Sequence, residues 1–169
     1  MTEETTIQDP MPLPDSFPVS VLMERRPGVT RWATEVWQAV GVTVGKGPDR
    51  DYPEVAVDQG TYLQLRYGSF SIRLHRDEAA SYYHNLTSPA PGCYVIASNE
   101  EIPKPLMVTL NFDEANAYGE GDAIVFHVAL PAELHQWLER YVIMYYEPEE
   151  KRKRKLKSSR EQRGFDGTQ

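Results

Sequence analysis

Apolar side chains recur at every second position along much of this chain, and this two-residue period constrains the fold more than any other feature. Successive side chains of a β-strand point to opposite faces, so such a stretch presents one apolar surface. One face of this kind consists of Phe17, Val19, Val21 and Met23. The predicted strands lie at residues 17–24, 93–97, 106–112 and 124–130, besides the pair described next.

The residues around Gly68-Ser69 form the clearest local pattern. If this dipeptide is the two-residue loop of a type II′ turn, the chain on either side of it pairs in a single register. That register joins Tyr67 to Phe70, Leu65 to Ile72 and Leu63 to Leu74. The intervening pairs are polar, and a shift by one residue would mix the two faces. The sequence therefore predicts a β-hairpin that turns at Gly68-Ser69.

In three further segments the pattern of apolar residues is less regular. Residues 32–44 have apolar side chains at four-residue steps, as in a helix, and also at even positions, as in a strand. Their content of Val, Trp and Thr favours the strand. Residues 45–60 are polar and contain two prolines, so they predict a long loop. Residues 75–87 predict either a short helical turn or an irregular strand.

The period changes after Pro131, a residue that suits the first position of a helix. Apolar and aromatic side chains then recur at three- and four-residue steps until Pro148 ends the pattern. They are Leu134, Trp137, Leu138, Tyr141 and Tyr145. We expect this stripe to pack on the sheet. The aromatic residues Trp32, Trp37, Trp137, Tyr82 and Tyr83 could line a ligand cage. Since a sheet with an amphipathic helix needs large apolar side chains, we interpret most of them as core.

Together these patterns predict a β-rich α+β fold. We expect an antiparallel sandwich or open barrel of about six to eight strands, covered by one C-terminal amphipathic helix. The length of 169 residues suffices for one domain with a substantial core. Residues 17–148 are assigned to this domain, residues 1–16 to a flexible acidic N-terminal segment, and residues 149–169 to a flexible basic tail.

The cysteine content bears on compartment and cofactors. A lone cysteine, Cys93, excludes an internal disulfide and any multi-cysteine zinc or iron–sulfur site, and it fits a reducing compartment. Residues 1–14 are acidic and lack an apolar centre, so they do not predict a signal peptide. No uninterrupted apolar run approaches the ~20 residues of a membrane span. We expect a soluble, cytoplasmic protein.

The net charge of −7 combines two parts of opposite sign. Residues 151–169 carry eight basic and two acidic side chains, whereas the rest of the chain carries ten basic and 23 acidic ones. Such a tail contacts an acidic protein, a nucleic-acid backbone or an anionic membrane, or it only improves solubility. We favour a protein partner, because the acidic body opposes close approach to a polyanion. The predicted partner-binding residues are Lys151, Arg152, Lys153, Arg154, Lys155, Lys157, Tyr145 and Tyr146.

One group of polar residues resembles a metal-binding site. His75 and His84 stand nine positions apart with Asp77 and Glu78 between them, and such ligands bind a divalent metal if the loop folds back. However, the spacing is not that of an established metal motif, and His75 falls on the polar face of a predicted strand. We interpret the four residues as solvated surface and predict neither a metal site nor another cofactor.

The sequence contains no motif for catalysis. Cys93 precedes an apolar strand, as a buried core residue does, and no G-x-S-x-G or phosphate-binding loop occurs. Asn85-Leu86-Thr87 matches a glycosylation sequon, but a cytoplasmic chain would not meet that machinery. We therefore predict a binding protein rather than an enzyme.

Several short motifs resemble a bacterial family catalogued as domain of unknown function 3305. They include residues 21–26, 32–42, 74–78, 82–86, 105–110 and 118–120, and the Trp137 helix leading to Tyr146-Glu147-Pro148 and the basic run. The likeness spans roughly residues 17–155, and the family has no established activity.

The resemblance implies a role near formate dehydrogenase, because members of this family are often encoded beside genes of that molybdenum enzyme. We expect an accessory protein that assists assembly, maturation or regulation of the enzyme by binding a subunit or a maturation factor. Two other functions stay open. One is a nucleic-acid-binding regulator that acts through the tail, and the other is a small-ligand or metal binder centred on His75, Asp77, Glu78 and His84.

Overall fold

The structure, a computed structural model, describes residues 12–149 of the chain. This part contains seven strands, three α-helices and one 3₁₀ helix. The strands are β1 (Ser16–Pro27), β2 (Glu35–Val44), β3 (Glu54–Gln59), β4 (Tyr62–Arg73), β5 (Gly92–Ala97), β6 (Pro105–Thr109) and β7 (Ile124–Ala129). The helices are the 3₁₀ helix Arg76–Glu78, α1 (Ala79–Thr87), α2 (Phe112–Gly119) and α3 (Ala132–Tyr145).

The strands form two antiparallel sheets. The first has the order β2-β1-β4-β3 and the second the order β6-β5-β7. β2 lies against β7 and β4 lies against β6, yet the described strands do not close into a hydrogen-bonded barrel. The predicted β-rich α+β fold of antiparallel strands is therefore confirmed.

One hydrophobic core is shared by both sheets and α3. Val21 of β1, Val95 of β5 and Leu138 of α3 are completely buried in it. The predicted helix is present, with its stripe turned towards this core and Pro131 immediately before its first turn rather than within it. No helix among residues 12–149 is long and apolar enough to cross a bilayer.

The hairpin predicted at Gly68-Ser69 is wrong, because β4 runs straight through this dipeptide. β4 pairs with β1, and the register passes from Val19↔Phe70 to Val21↔Tyr67. Two residues of β4 thus lie opposite one residue of β1, which is a β-bulge. A bulge, like a two-residue turn, puts Tyr67 and Phe70 on the same face. The pattern of apolar side chains is therefore identical in the two arrangements.

The loop that follows β2 packs against this bulge. The Ser69 amide donates a hydrogen bond to the Lys46 carbonyl oxygen at 2.7 Å. Gly68 lies against the backbone of Gly47 and Pro48, where a Cβ atom would collide. The bulge also holds Ser69 at a φ of 61°, in the left-handed region. Packing by a distant loop thus favours the bulge over a turn.

The true hairpin lies earlier in the chain, in a region predicted as loop. Within residues 45–60, β3 pairs with β4 up to Gln59↔Tyr62, and the chain turns at Gly60-Thr61. Gly60 has a φ of 74°, which glycine adopts without strain. The prediction of a long loop is therefore wrong for residues 54–59. Residues 35–44 form strand β2, the alternative that the sequence favoured.

Two helices occupy places where the sequence predicted other structure. Residues 79–87 form α1, which is longer than the predicted helical turn. The strand predicted at residues 106–112 ends at Thr109, and α2 begins at Phe112. The Asn111 side chain caps α2 by accepting hydrogen bonds from the Asp113 and Glu114 amides at 2.9 and 3.2 Å. This capping satisfies amides that a helix leaves without partners.

Candidate functional site

The four residues of the predicted polar site do not come together around a common point. Among residues 12–149, no three His, Cys, Asp or Glu side chains are grouped as metal ligands would be. Two of the four instead contact Tyr82. Its hydroxyl donates to Glu78 Oε2 at 2.8 Å and accepts from the His75 amide at 3.0 Å. His75 and Glu78 therefore hold the turn between β4 and α1.

A groove lies directly beside this turn. It has a volume of about 640 Å³ and runs between residues 12–15, the end of β4 and the last turns of α3. Its lining includes Pro12, Leu74, Arg76, Arg140, Met144 and Tyr145. The lining also contains one acidic residue, Asp15, so the walls combine apolar surface with two arginines and one carboxylate. This net positive, partly apolar surface suits an extended ligand that is both apolar and acidic.

The two groove arginines have no close carboxylate partner among residues 12–149. Arg76 and Arg140 form no salt bridge within the described part of the chain, whereas Arg66 pairs with Glu54 and Lys104 pairs with Asp51. The Lys104 ammonium donates a hydrogen bond to Asp51 and so lowers the pKa of that carboxyl below its usual value. The groove consequently presents positive charge on a body that is acidic overall.

Five tyrosines of α1 and of the C-terminal end of α3 contact one another in pairs, and two of them, Tyr141 and Tyr145, line the groove. The five are Tyr82, Tyr83, Tyr141, Tyr145 and Tyr146. The Arg76 guanidinium lies 4.5 Å from the centre of the Tyr145 ring, and Tyr146 stacks on Tyr83 at 4.4 Å. Tyr145 therefore forms part of the groove wall, whereas Tyr146 packs on α1. The two tyrosines predicted to contact a partner are half-buried.

The last turns of α3 leave apolar side chains in solvent. Ile143 is 78% exposed and Met144 is 57% exposed, and Arg140 lies one turn earlier on the helix. We call these three residues the α3 surface. Met144 and Arg140 also line the groove, so the two features are continuous. The predicted basic contacts Lys151, Arg152, Lys153, Arg154, Lys155 and Lys157 lie outside the described residues, six or more positions beyond Tyr145.

The three tryptophans divide into different environments. Trp137 is buried and Trp37 is half-buried, but Trp32 is 93% exposed at the turn between β1 and β2. Val29 in the same turn is 98% exposed. Trp32 is therefore not a core residue, whereas Trp37, Trp137 and Tyr82 lie in the core or pack against it. The Pro27-Gly28 dipeptide indicates that β1 ends there, but it does not indicate whether Trp32 packs against another segment.

Cys93 lies in β5 and is fully buried, as the sequence indicated. Burial raises the pKa of its thiol to about 12. Since the thiolate is the nucleophilic form, this sulfur is unreactive at neutral pH. It therefore contributes packing rather than chemistry.

Sequence reasoning missed the groove because its walls come from three separated segments. Arg140 and Met144 are four residues apart on the solvent-exposed side of α3. This spacing indicates that the two side chains are neighbours on the helix surface. No pattern linked them to residues 12–15, which cross the helix. The Trp137 ring N–H donates to the Pro14 carbonyl oxygen at 2.7 Å and holds this crossing in place.

Comparison with known proteins identifies the family. The model of a family described as "Protein of unknown function (DUF3305)" matches residues 18–155, which is most of the chain. No curated protein and no solved structure shows a significant match. The match covers every strand from β2 onwards, all three α-helices and nearly all of β1. The chain belongs to the family of proteins of unknown function DUF3305.

Proposed function

We propose that this protein is a non-catalytic accessory protein that binds an acidic protein partner at the C-terminal end of α3. The observation that carries the proposal is the proximity of exposed Ile143 and Met144 to Arg76 and Arg140, which form no salt bridge within residues 12–149. The basic run that begins at Lys151 follows six residues after Tyr145 and would extend the same charge.

The two kinds of contact supply different parts of the binding energy. Burial of apolar surface contributes about 25 cal/mol per Å², so Ile143 and Met144 are the expected anchors. Exposed ion pairs contribute about 0–1 kcal/mol each and act mainly on the rate and selectivity of association. A partner that matches both features carries carboxylates around an apolar contact.

The partner we propose is a subunit or maturation factor of formate dehydrogenase, acting in the cytoplasm. This choice rests on the family resemblance, since members are often encoded near that enzyme. The buried, protonated Cys93 supports a role without nucleophilic catalysis. In this proposal the protein binds its partner through a complementary surface and catalyses no reaction.

Binding of purified formate dehydrogenase subunits to the immobilised full chain tests the proposal. We expect Ile143→Ser combined with Met144→Ser to weaken binding about tenfold or more, a loss typical of anchor residues. Ile102→Ser is the matched control, because Ile102 is 53% exposed but lies in the turn between β5 and β6. Equal affinity of the double variant and the wild-type chain would contradict the proposed surface.

The same assay separates the tail from the helix and tests the nucleic-acid alternative. We expect a chain that ends at Glu150 to bind more weakly, with most of the loss in the association rate. A short DNA duplex and a single-stranded RNA serve as competing probes. Tight binding of either probe with a steep dependence on salt, together with no binding of the protein subunits, would replace the accessory role by a nucleic-acid function.

A further inference from the structure

Residues 12–15 form part of the groove wall. Leu13 packs against the core, and the Leu74 amide donates a hydrogen bond to the Asp15 carbonyl oxygen at 2.8 Å. The Trp137 ring N–H holds Pro14, and Pro12 is itself part of the groove lining. Residues 12–15 thus pack on α3 beside the groove, and residues 1–11 precede them in the chain.

Residues 1–11 are complementary to the groove in charge. They carry Glu3, Glu4 and Asp9 and no lysine or arginine. The groove presents Arg76 and Arg140, which form no salt bridge among the described residues, against a single acidic lining residue, Asp15. Asp9 lies three positions before Pro12, about 11 Å of extended chain at most, so its carboxylate is within reach of the groove walls.

The apolar residues of the segment fit the rest of the lining. The segment contains Ile7, Pro10 and Met11, and the walls formed by Met144 and Tyr145 offer apolar surface for such side chains. Proline-containing segments in extended conformation bind aromatic-lined grooves at low entropic cost. The hydrogen bond from Trp137 to the Pro14 carbonyl is a contact of this kind.

We propose that residues 1–11 of this chain are the resident occupant of the groove, held by contacts of Glu3, Glu4 and Asp9 with Arg76 and Arg140. The segment covers Met144 and both arginines. It therefore competes with an acidic partner for the α3 surface, and this consequence rests on the function proposed above. Because the segment is tethered at Pro12, its effective concentration at the groove is in the millimolar range.

Removal of the segment tests the competition. We expect a chain that starts at Pro12, after an initiating methionine, to bind the formate dehydrogenase subunit several-fold more tightly than the full chain. A synthetic peptide of residues 1–11 should reduce that gain when it is added in excess. Unchanged affinity after the deletion would overturn the competition.

Occupancy of the groove is tested on the full-length protein without any partner, so its outcome does not depend on the proposed function. A nitroxide is attached at position 6 through Thr6→Cys, while the buried Cys93 stays unlabelled. We expect the amide NMR signals of Arg140, Met144 and Tyr145 to lose most of their intensity. Salt at about 1 M should restore them, because it shortens the screening length to roughly 3 Å.

Charge reversal decides whether the arginines hold the segment. Arg76→Glu with Arg140→Glu should restore the groove signals, and the milder pair Arg76→Gln with Arg140→Gln covers the case that reversal disturbs the fold. The matched control is Arg31→Glu with Lys46→Glu, which changes the net charge equally at exposed positions outside the groove lining. The proposal would be overturned if the groove signals kept their intensity, if signals were lost over the whole protein, or if the loss were equal in all variants.

Discussion

Asn85 is a single side chain that joins three parts of the fold. Its amide nitrogen donates to the carbonyl oxygens of Gly92 and Leu110 at 2.9 and 3.0 Å, and its amide oxygen accepts from the Gly92 amide at 3.0 Å. These bonds connect α1 to β5 and to the segment between β6 and α2. The sequence shows Asn85 only as part of a glycosylation sequon, and in the folded protein its amide is buried.

Replacement of Asn85 should therefore cost much stability. We expect Asn85→Ala to lower the free energy of unfolding by about 3–5 kcal/mol, because it removes three buried hydrogen bonds and leaves backbone groups without partners. Urea denaturation followed by circular dichroism measures the change. Asn116→Ala in α2 is the matched control, since Asn116 is exposed. A loss below about 1 kcal/mol would show that the buried groups find other partners.

At the scale of elements, the bulge in β4 explains why the local pattern of apolar residues could not distinguish a hairpin turn from a continuous strand. A two-residue turn and a one-residue bulge both shift the alternation by one position, so both keep Leu65, Tyr67, Phe70 and Ile72 on one face. The prediction of which side chains share a face was correct, although the prediction of a turn was wrong. The contact of Gly68 with Pro48 decides between the two, and it joins segments far apart in sequence.

Substitution of Gly68 tests this explanation. We expect Gly68→Val to lower the free energy of unfolding by about 2–3 kcal/mol, because its side chain would displace the loop that carries Pro48. Gly68 does not have a positive φ in the bulge, so the loss would come from this collision and not from backbone strain. Gly119→Ala is the control, since the added methyl meets only an ordinary contact with Val125. Equal unfolding midpoints for Gly68→Val and wild type would contradict the packed bulge.

Across the whole molecule, the core contains several ionisable groups that stay protonated. Burial raises the pKa of four tyrosine hydroxyls and of one thiol above their usual values of about 10 and 8.5. The residues concerned are Tyr67, Tyr82, Tyr94, Tyr141 and Cys93. The folded protein thus retains protons that the unfolded chain releases in alkaline solution.

This difference predicts alkaline destabilisation. Stability contributed by these groups is fully present below about pH 8.5 and decreases as the pH rises through 10, because the unfolded chain then gains by ionising. Urea midpoints measured between pH 7.5 and about 11 should fall steadily at the upper end. Tyr82→Phe should make this fall shallower, whereas Tyr118→Phe, which changes an exposed tyrosine, should not. A midpoint independent of pH would contradict the raised pKa values.

The sequence alone was enough for the class of fold, most strands, the helix from Ala132 to Tyr145 and the burial of Cys93. These features follow from periodicity and side-chain size, which act between neighbours in the chain. Only the tertiary structure decided the bulge at Gly68, the position of Trp32 in solvent and the groove with its two arginines. Each of these depends on contact, or lack of contact, between segments distant in sequence. Local periodicity contains no information about which distant surfaces meet.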